Sequence, residues 1–246
     1  AILIGLFREL AIPVMTPIEA GLRMGVMWDL YLRSTKRDRR EQSVQGCMEK
    51  FHIDQQRAGR VAEQALAMYA QLKPTSDALV KCLRWSSLLH EVGLAVSQTG
   101  YHKHASYIVE NADLPGEVGL AVSQTGYHKH ASYIVENADL PGFTTREQKT
   151  MSRLILAQKG NLRKIGEVLS DPDFAKAVLA LRLSILLMHA RIEADFSELR
   201  LRMKNRIELD IKRGWVAHHP TVSFWIEKEQ EFWDEVGVDF TIRASA

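Results

Sequence analysis

The chain has 246 residues, of which 46% are apolar and 25% charged, and its formal net charge is +2. This composition is that of an ordinary globular protein with a sizeable core. The charge is too small to indicate nucleic-acid binding, and no stretch has the length of a membrane span. Cys47 and Cys82 lack the spacing of a zinc site or a disulfide framework. We therefore expect a cytoplasmic protein with neither nucleic acid nor membrane as partner.

The first 33 residues predict a short run of mixed structure. Residues 1–10 have the pattern of an amphipathic helix interior with no cap before it. Residues 12–16 read as a strand between two prolines, and residues 18–32 as a turn followed by a helix. Because no capping residue precedes this helix, we expect the chain to be a piece of a longer protein.

Helical periodicity dominates the middle of the chain. Asp54 is a plausible N-cap, and Thr144 or Thr145 with Glu147 resembles a capping box. The predicted helices cover residues 43–51, 54–72, 76–97, 101–112, 144–159 and 173–194.

The composition changes after Asp195. Residues 199–204 and 206–212 alternate apolar and polar side chains across a short turn, which predicts a hairpin. A helix at 221–236 and a strand at 238–243 complete a small ββαβ unit. The chain is therefore expected to be mainly α, a helical bundle followed by a small α+β domain, with a boundary near residues 195–198.

Residues 91–116 (EVGLAVSQTGYHKHASYIVENADLPG) are followed at once by the same 26 residues, 117–142, without one substitution. Lengthening a surface loop costs only about 0.6 kcal/mol per doubling of its length, whereas a break inside a helix leaves orphan backbone groups. We therefore expect one copy to dock and the other to be extruded, with the break at the SQTG loop or at DLPG.

Residues 88–93 (LLHEVG) resemble the signature of HD-domain phosphohydrolases, in which a His-Asp pair helps to hold divalent metals. Neither the earlier His of that pattern, near residues 56–62, nor its late Asp, near residues 181–186, is present, and Glu91 replaces the Asp. The pattern favours an HD-like fold without a metal site.

Basic side chains indicate a different kind of site. His102, Lys103 and His104, together with Arg84, could contact a polyanion, and the downstream cations extend this character. Those downstream cations are Lys149, Arg153, Lys159, Arg163 and Lys164. We interpret His189 as a core histidine, and Trp225 and Trp233 as packing residues.

Several stretches together resemble the exopolyphosphatase / guanosine pentaphosphate phosphohydrolase family. They are residues 21–26 (GLRMGV), 83–93, 102–108 (HKHASYI), 111–116 with Phe143, and 227–233 (EKEQEFW). The resemblance covers nearly the whole chain except the extra copy.

The resemblance implies three parts: residues 1–33 as the tail of an actin-like, ribonuclease-H-fold domain, residues 34–195 as an HD-like helical domain, and residues 196–246 as a small C-terminal α/β domain. Catalysis by a Glu base assisted by Mg²⁺ would lie upstream, so this chain would supply no catalytic and no metal-ligating residue. It would bind inorganic polyphosphate, the substrate of an exopolyphosphatase that hydrolyses the terminal phosphate, and contribute to a homodimer interface, with a guanosine pentaphosphate phosphohydrolase as the alternative. The implied substrate-binding residues are Arg84, His90, His102, Lys103 and His104.

Two other functions stay open at this point. The chain could be an autonomous metal phosphohydrolase that uses His90, Glu91 and the downstream histidines, or a regulatory module that binds guanosine pentaphosphate or tetraphosphate. The sequence also does not distinguish inorganic polyphosphate from guanosine pentaphosphate as the substrate of the parent enzyme.

Overall fold

The computed structural model describes residues 21–34, 38–95, 126–192 and 199–245. Residues 1–39 form one unit and residues 40–246 another. The described part of the smaller unit contains α1 (Leu22–Ser34), where the sequence predicts a helix. The predicted helix at 1–10 and strand at 12–16 lie outside the described residues, and the actin-like tail stays a prediction.

The larger unit is mainly helical, with a small three-stranded sheet near its C-terminal end. Its elements are α2 (Arg39–Lys50), α3 (Gln55–Gln71), α4 (Val80–Leu89), α5 (Tyr127–Asn137), α6 (Thr145–Ala157), α7 (Pro172–His189), β1 (Leu199–Met203), β2 (Ile207–Lys212), α8 (Arg213–His218), α9 (Pro220–Asp234) and β3 (Phe240–Ser245). No described helix is long and apolar enough to cross a bilayer.

Side-chain caps fix where several helices begin. The Asp54 carboxylate accepts a hydrogen bond from the backbone N–H of Arg57, as the sequence predicts. Thr144 and Glu147 form the predicted capping box at the start of α6. Asp171 caps α7, and Pro172 occupies the first helical position, where no backbone N–H is needed.

Three predicted helices have different bounds. α2 begins four residues early, at Arg39, so part of the basic run near residues 33–40 is helical. The helix predicted at 76–97 is broken by a turn at residues 90–91, and residues 92–95 are helical again. α7 ends at His189 because Arg191 adopts a positive φ of 57°, and the Ile192 N–H then closes the helix end on the Leu187 carbonyl.

The core is built around α3, α4 and α7. α3 packs against both other helices, and α6 packs against α4 and α5. α7 is buried along almost its whole length, so its pattern is apolar on every side. The largest side chains without exposed surface are Trp85 of α4 and Trp233 of α9.

The three strands lie in the order β1-β2-β3. β1 and β2 are antiparallel, whereas β3 runs parallel to β2. The predicted ββαβ order is therefore confirmed, and the sequence pattern missed only the short helix α8. Inward-facing residues alternate along the hairpin, with Leu199, Leu201 and Leu209 buried.

The helix that packs on α6 comes from the second copy of the repeat. Residues 91–95 of the first copy continue the α4 region, and residues 126–142 of the second copy supply α5 and the turn after it. The join between the copies thus falls within residues 96–125, which include the first SQTG segment (residues 97–100) and the first three residues of the second (residues 123–126). Residues 102–104, three of the predicted site positions, lie outside the described residues.

Candidate functional site

The turn after α4 carries the His-Glu pair that the sequence singles out. His90 has no exposed surface, and its Nδ1 lies 2.6 Å from the carbonyl oxygen of Ser87. Because a carbonyl oxygen only accepts, Nδ1 carries the proton, and Nε2 is left without a partner among the described residues. Burial lowers the pKa of His90 below its usual range. The ring is therefore a neutral acceptor at pH 7.

Glu91 is bound to a guanidinium. Its Oε2 accepts hydrogen bonds from Arg57 Nη2 at 2.7 Å and from Arg57 Nε at 3.2 Å. The Glu91 side chain is 6% exposed, so this pairing neutralises a nearly buried charge. Arg57 lies on α3, in the stretch where the HD pattern has its earlier histidine.

Among the residues that the structure describes, the His-Glu pair lacks the partners of a metal centre. His90 Nε2 lies 3.9 Å from Glu91 Oε1, and no group of three His, Cys, Asp or Glu side chains in the described ranges could hold a metal ion. The described residues therefore do not form the divalent-metal site of the HD signature.

The second copy places its own His-Lys-His segment next to several lysines. His128 is 8% exposed, and its Nδ1 has no partner within the described part of the chain. Burial, and then the charges of Lys164, Lys129 and Lys159, lower the pKa of His128 to about 4. We call His128, Lys129, Lys159 and Lys164 the lysine cluster.

Lys164 lies among the same charges. Burial, followed by the charges of Arg182 and Lys129, lowers the pKa of Lys164 to about 8. Its Nζ donates to the Lys159 carbonyl at 2.6 Å, and Lys159 Nζ lies 5.4 Å from the ring centre of Tyr127. Mutually repelling cations of this kind favour an anion between them.

A second cationic surface lies where α3 meets the end of α7. A cavity of about 590 Å³ opens there, and its described lining contains no carboxylate. Gln64 adds a buried Oε1 without a partner among the described residues. We call this cavity the arginine pocket; it is lined by Arg57, Arg60, Val61, Gln64, Met188, His189, Arg191 and Ile192.

The predicted site residues are dispersed. Arg84 bonds through Nη1 to both oxygens of Glu41, at 2.8 and 2.7 Å, on an exposed face. His90 is buried at the turn. His102, Lys103 and His104 lie outside the described residues, but the same three side chains recur as His128, Lys129 and His130.

The downstream cations that the sequence singles out lie in different surroundings. Lys159 and Lys164 belong to the lysine cluster, whereas Lys149 and Arg153 line another cavity that also contains Glu147 and Asp171. Arg163 pairs with a carboxylate, because its Nε lies 3.7 Å from Glu235 Oε2.

Two interpretations were wrong, and one site was missed. His189 is exposed and lines the arginine pocket, because α7 ends there. Trp225 is 53% exposed, whereas Trp233 is fully buried as predicted. The arginine pocket went unnoticed, although the spacing of Arg57, Arg60 and Gln64 places all three on one face of a helix.

The fold and these cationic surfaces belong to a helical domain of a phosphatase family. The family model described as Ppx/GppA phosphatase, domain III, matches residues 39–116 and 117–230. The chain therefore belongs to the Ppx/GppA phosphatase family, as the sequence resemblance implies.

Curated relatives support this assignment. The guanosine-5'-triphosphate,3'-diphosphate pyrophosphatase of Pseudoalteromonas translucida is 26% identical, over 94% of this chain and 43% of the relative. The protein of the same name from Aeromonas hydrophila is 26% identical, over 94% of this chain and 44% of the relative. That of Aeromonas salmonicida is 27% identical, over 89% and 41%. The chain thus spans less than half the length of these relatives.

Proposed function

We propose that this region binds the phosphate-rich substrate of a Ppx/GppA phosphatase and that the bond-breaking groups belong to another part of that enzyme. The observation that carries the proposal is the lysine cluster, in which the charges of Lys129, Lys159 and Lys164 act on a buried His128 whose Nδ1 has no partner among the described residues. A polyanion would relieve this repulsion and would accept hydrogen bonds from the same side chains.

The arginine pocket supports the same ligand chemistry. Arg60 and Arg191 are exposed in a cavity whose described lining contains no carboxylate. A guanidinium presents two parallel donors to a phosphate group, so two such side chains suit a ligand with several phosphates. Arg57 contributes less, since its Nε and Nη2 already donate to Glu91.

Guanosine pentaphosphate is the substrate that we favour. The relatives carry names that state a guanosine triphosphate-diphosphate as substrate, and inorganic polyphosphate is the alternative that the resemblance leaves open. The predicted substrate contacts of Arg84, His90, His102, Lys103 and His104 remain part of the proposal. Homodimer formation also stays a prediction, which light scattering of the purified chain would test.

Binding measurements with matched variants test the proposal. Guanosine pentaphosphate, tripolyphosphate and long-chain polyphosphate would be titrated into the intact chain at several salt concentrations. We expect binding that weakens with salt and that weakens at least tenfold in Lys159→Ala/Lys164→Ala. The matched control is Lys212→Ala, an exposed lysine at the end of β2, which should bind normally.

The possible outcomes separate the candidate functions. Equal binding by the double variant and the control would refute the lysine cluster as the site. Tighter binding of guanosine pentaphosphate than of tripolyphosphate would favour the nucleotide, whereas affinity that rises with chain length would favour polyphosphate. Release of orthophosphate by the chain alone, abolished by a chelator, would overturn the assignment of catalysis to another region and would support the metal phosphohydrolase.

A further inference from the structure

The surface that receives α5 is built from specific contacts. Ala131 and Val135 of α5 have no exposed surface, and Ser132 Oγ lies 2.8 Å from Ser152 Oγ of α6. Gln148 of α6 donates from Nε2 to the Val135 carbonyl at 3.2 Å and to the Ala138 carbonyl at 2.8 Å. Gly93 lies directly against the backbone of Tyr127 and Ala131. We call the surface formed by Gly93, Gln148 and Ser152 the helix seat.

Everything that the helix seat contacts is present twice in the chain. Residues 100–116 repeat residues 126–142 without a change, so Ala105, Ser106 and Val109 match the three α5 side chains named above. Both copies also fall inside the residues that the domain III model matches. We propose that residues 100–116 are a second occupant of the helix seat and that the two copies exchange on it.

The chain connections allow either occupant. In the described arrangement, residues 96–125 connect Ala95 to Gly126. With the first copy seated, residues 96–99 would connect Ala95 to Gly100, and the 26 residues 117–142 would lie between Gly116 and Phe143. In each case one connection is longer by 26 residues.

The two arrangements are therefore close in free energy. Loop-closure entropy depends weakly on length, the added length is the same, and the seated side chains are identical. We expect populations within about tenfold of each other, a difference of about 1.4 kcal/mol or less. The inference does not depend on the proposed substrate, because it concerns only the packing of the helix.

Cysteine cross-linking tests the exchange directly. Ser132→Cys/Ser152→Cys and Ser106→Cys/Ser152→Cys would be oxidised at low protein concentration, and the linked peptides of the monomer identified by mass spectrometry. The 2.8 Å approach of Ser132 to Ser152 suits a disulfide at this position. We expect both variants to form the intramolecular link.

Matched controls place the cysteine on the outer face of the same helix. Tyr133 is 70% exposed, so Tyr133→Cys/Ser152→Cys and its counterpart Tyr107→Cys/Ser152→Cys should not link. If Ser106→Cys links to Ser152→Cys no more than Tyr107→Cys does, the exchange is refuted.

A stability comparison gives an independent readout. Ala131→Asp and Ala105→Asp would each place a charge on the packing face of one copy only. The double variant would place a charge on that face in both copies. We expect each single variant to lower the folding equilibrium constant by tenfold or less and the double variant to lower it by more than a hundredfold. A single Ala131→Asp variant as unstable as the double variant would contradict the proposal.

Discussion

Arg57 and Glu91 join α3 to the turn after α4 through two hydrogen bonds to one carboxylate oxygen, at 2.7 and 3.2 Å. The guanidinium lies beside the carboxylate of the pair that resembles a metal-binding motif. The guanidinium of Arg57 thus supplies the positive charge next to the Glu91 carboxylate, and α3 holds it in place.

The first prediction concerns this pair. Arg57→Ala would leave a carboxylate of 6% exposure without its charged donor, so the free energy of unfolding should fall by about 2 kcal/mol. Urea denaturation measures the change. Arg60→Ala, one turn further along α3 and exposed, should change it by less than about 0.5 kcal/mol. Equal effects of the two variants would show that the ion pair does not stabilise the turn.

The second prediction concerns the close approach of Gly93 to α5. A Cβ at Gly93 would lie 2.6 Å from the backbone nitrogen of Ala131 and would also meet the Tyr127 carbonyl. Backbone atoms cannot rotate away, so Gly93→Ala should destabilise the protein by about 2–3 kcal/mol.

The repeat provides the control for this substitution. Gly119 is the residue of the second copy that corresponds to Gly93 of the first. The residue before each copy differs, since His90 precedes the first and Gly116 the second. Gly119→Ala should leave thermal unfolding unchanged. A loss of stability in Gly119→Ala equal to that in Gly93→Ala would mean that the packing of residues 91–95 is wrongly assigned.

The third prediction concerns a buried connection between α7 and α9. Arg182 bonds to both carboxylate oxygens of Glu229, and Trp233 Nε1 donates to Glu229 Oε1 at 2.9 Å. Arg182 also donates to the Ala157 and Gly160 carbonyls. Glu229→Ala would leave the guanidinium unpaired, so it should cost about 3–5 kcal/mol.

Replacing both partners separates charge from packing. Arg182→Met/Glu229→Met removes the buried charges together and should be more stable than Glu229→Ala in guanidinium denaturation. If the double variant were the less stable of the two, the cost would come from the lost bonds to Ala157 and Gly160.

The fourth prediction is a pH dependence at Asp173. Desolvation opposes ionisation of this carboxyl group, but hydrogen bonds from Thr75 and the Lys176 ammonium outweigh it and lower the pKa to about 2. Because the pKa in the folded state lies below that of the unfolded state, the stabilisation is present above about pH 4 and is lost as the pH falls toward 2.

Asp173→Asn should accordingly be less stable than the parent protein at pH 7, by about 2 kcal/mol. The difference should shrink as the pH falls from 4 to 2, as followed by thermal unfolding. Asp234→Asn, an exposed residue at the end of α9, serves as the control. A difference that stays constant with pH would contradict the ionised form as the stabilising species.

Local patterns predicted the elements well where the decisive groups are near one another in the chain. The Asp54 cap and the Thr144–Glu147 capping box depend on residues three positions apart, and the hairpin depends on alternation within a few residues. The break at residues 90–91 was missed because it depends on a side-chain bond from His90 to Ser87 that periodicity does not reveal. His189 was misplaced for a similar reason, since the left-handed Arg191 ends α7 earlier than its apolar pattern indicates.

The sequence by itself determined the family, the order of the helices and strands, and the presence of two identical segments, because each of these is written in residue identities and short spacings. Only the tertiary structure decided that Arg57 pairs with Glu91, that Lys159 and Lys164 lie near His128, and that Arg84 pairs with Glu41. These contacts join residues that are far apart in the chain. They depend on how the helices pack, which the local sequence of one segment does not determine. The two copies show this most directly, since identical segments have identical local preferences and only their tertiary contacts can distinguish them.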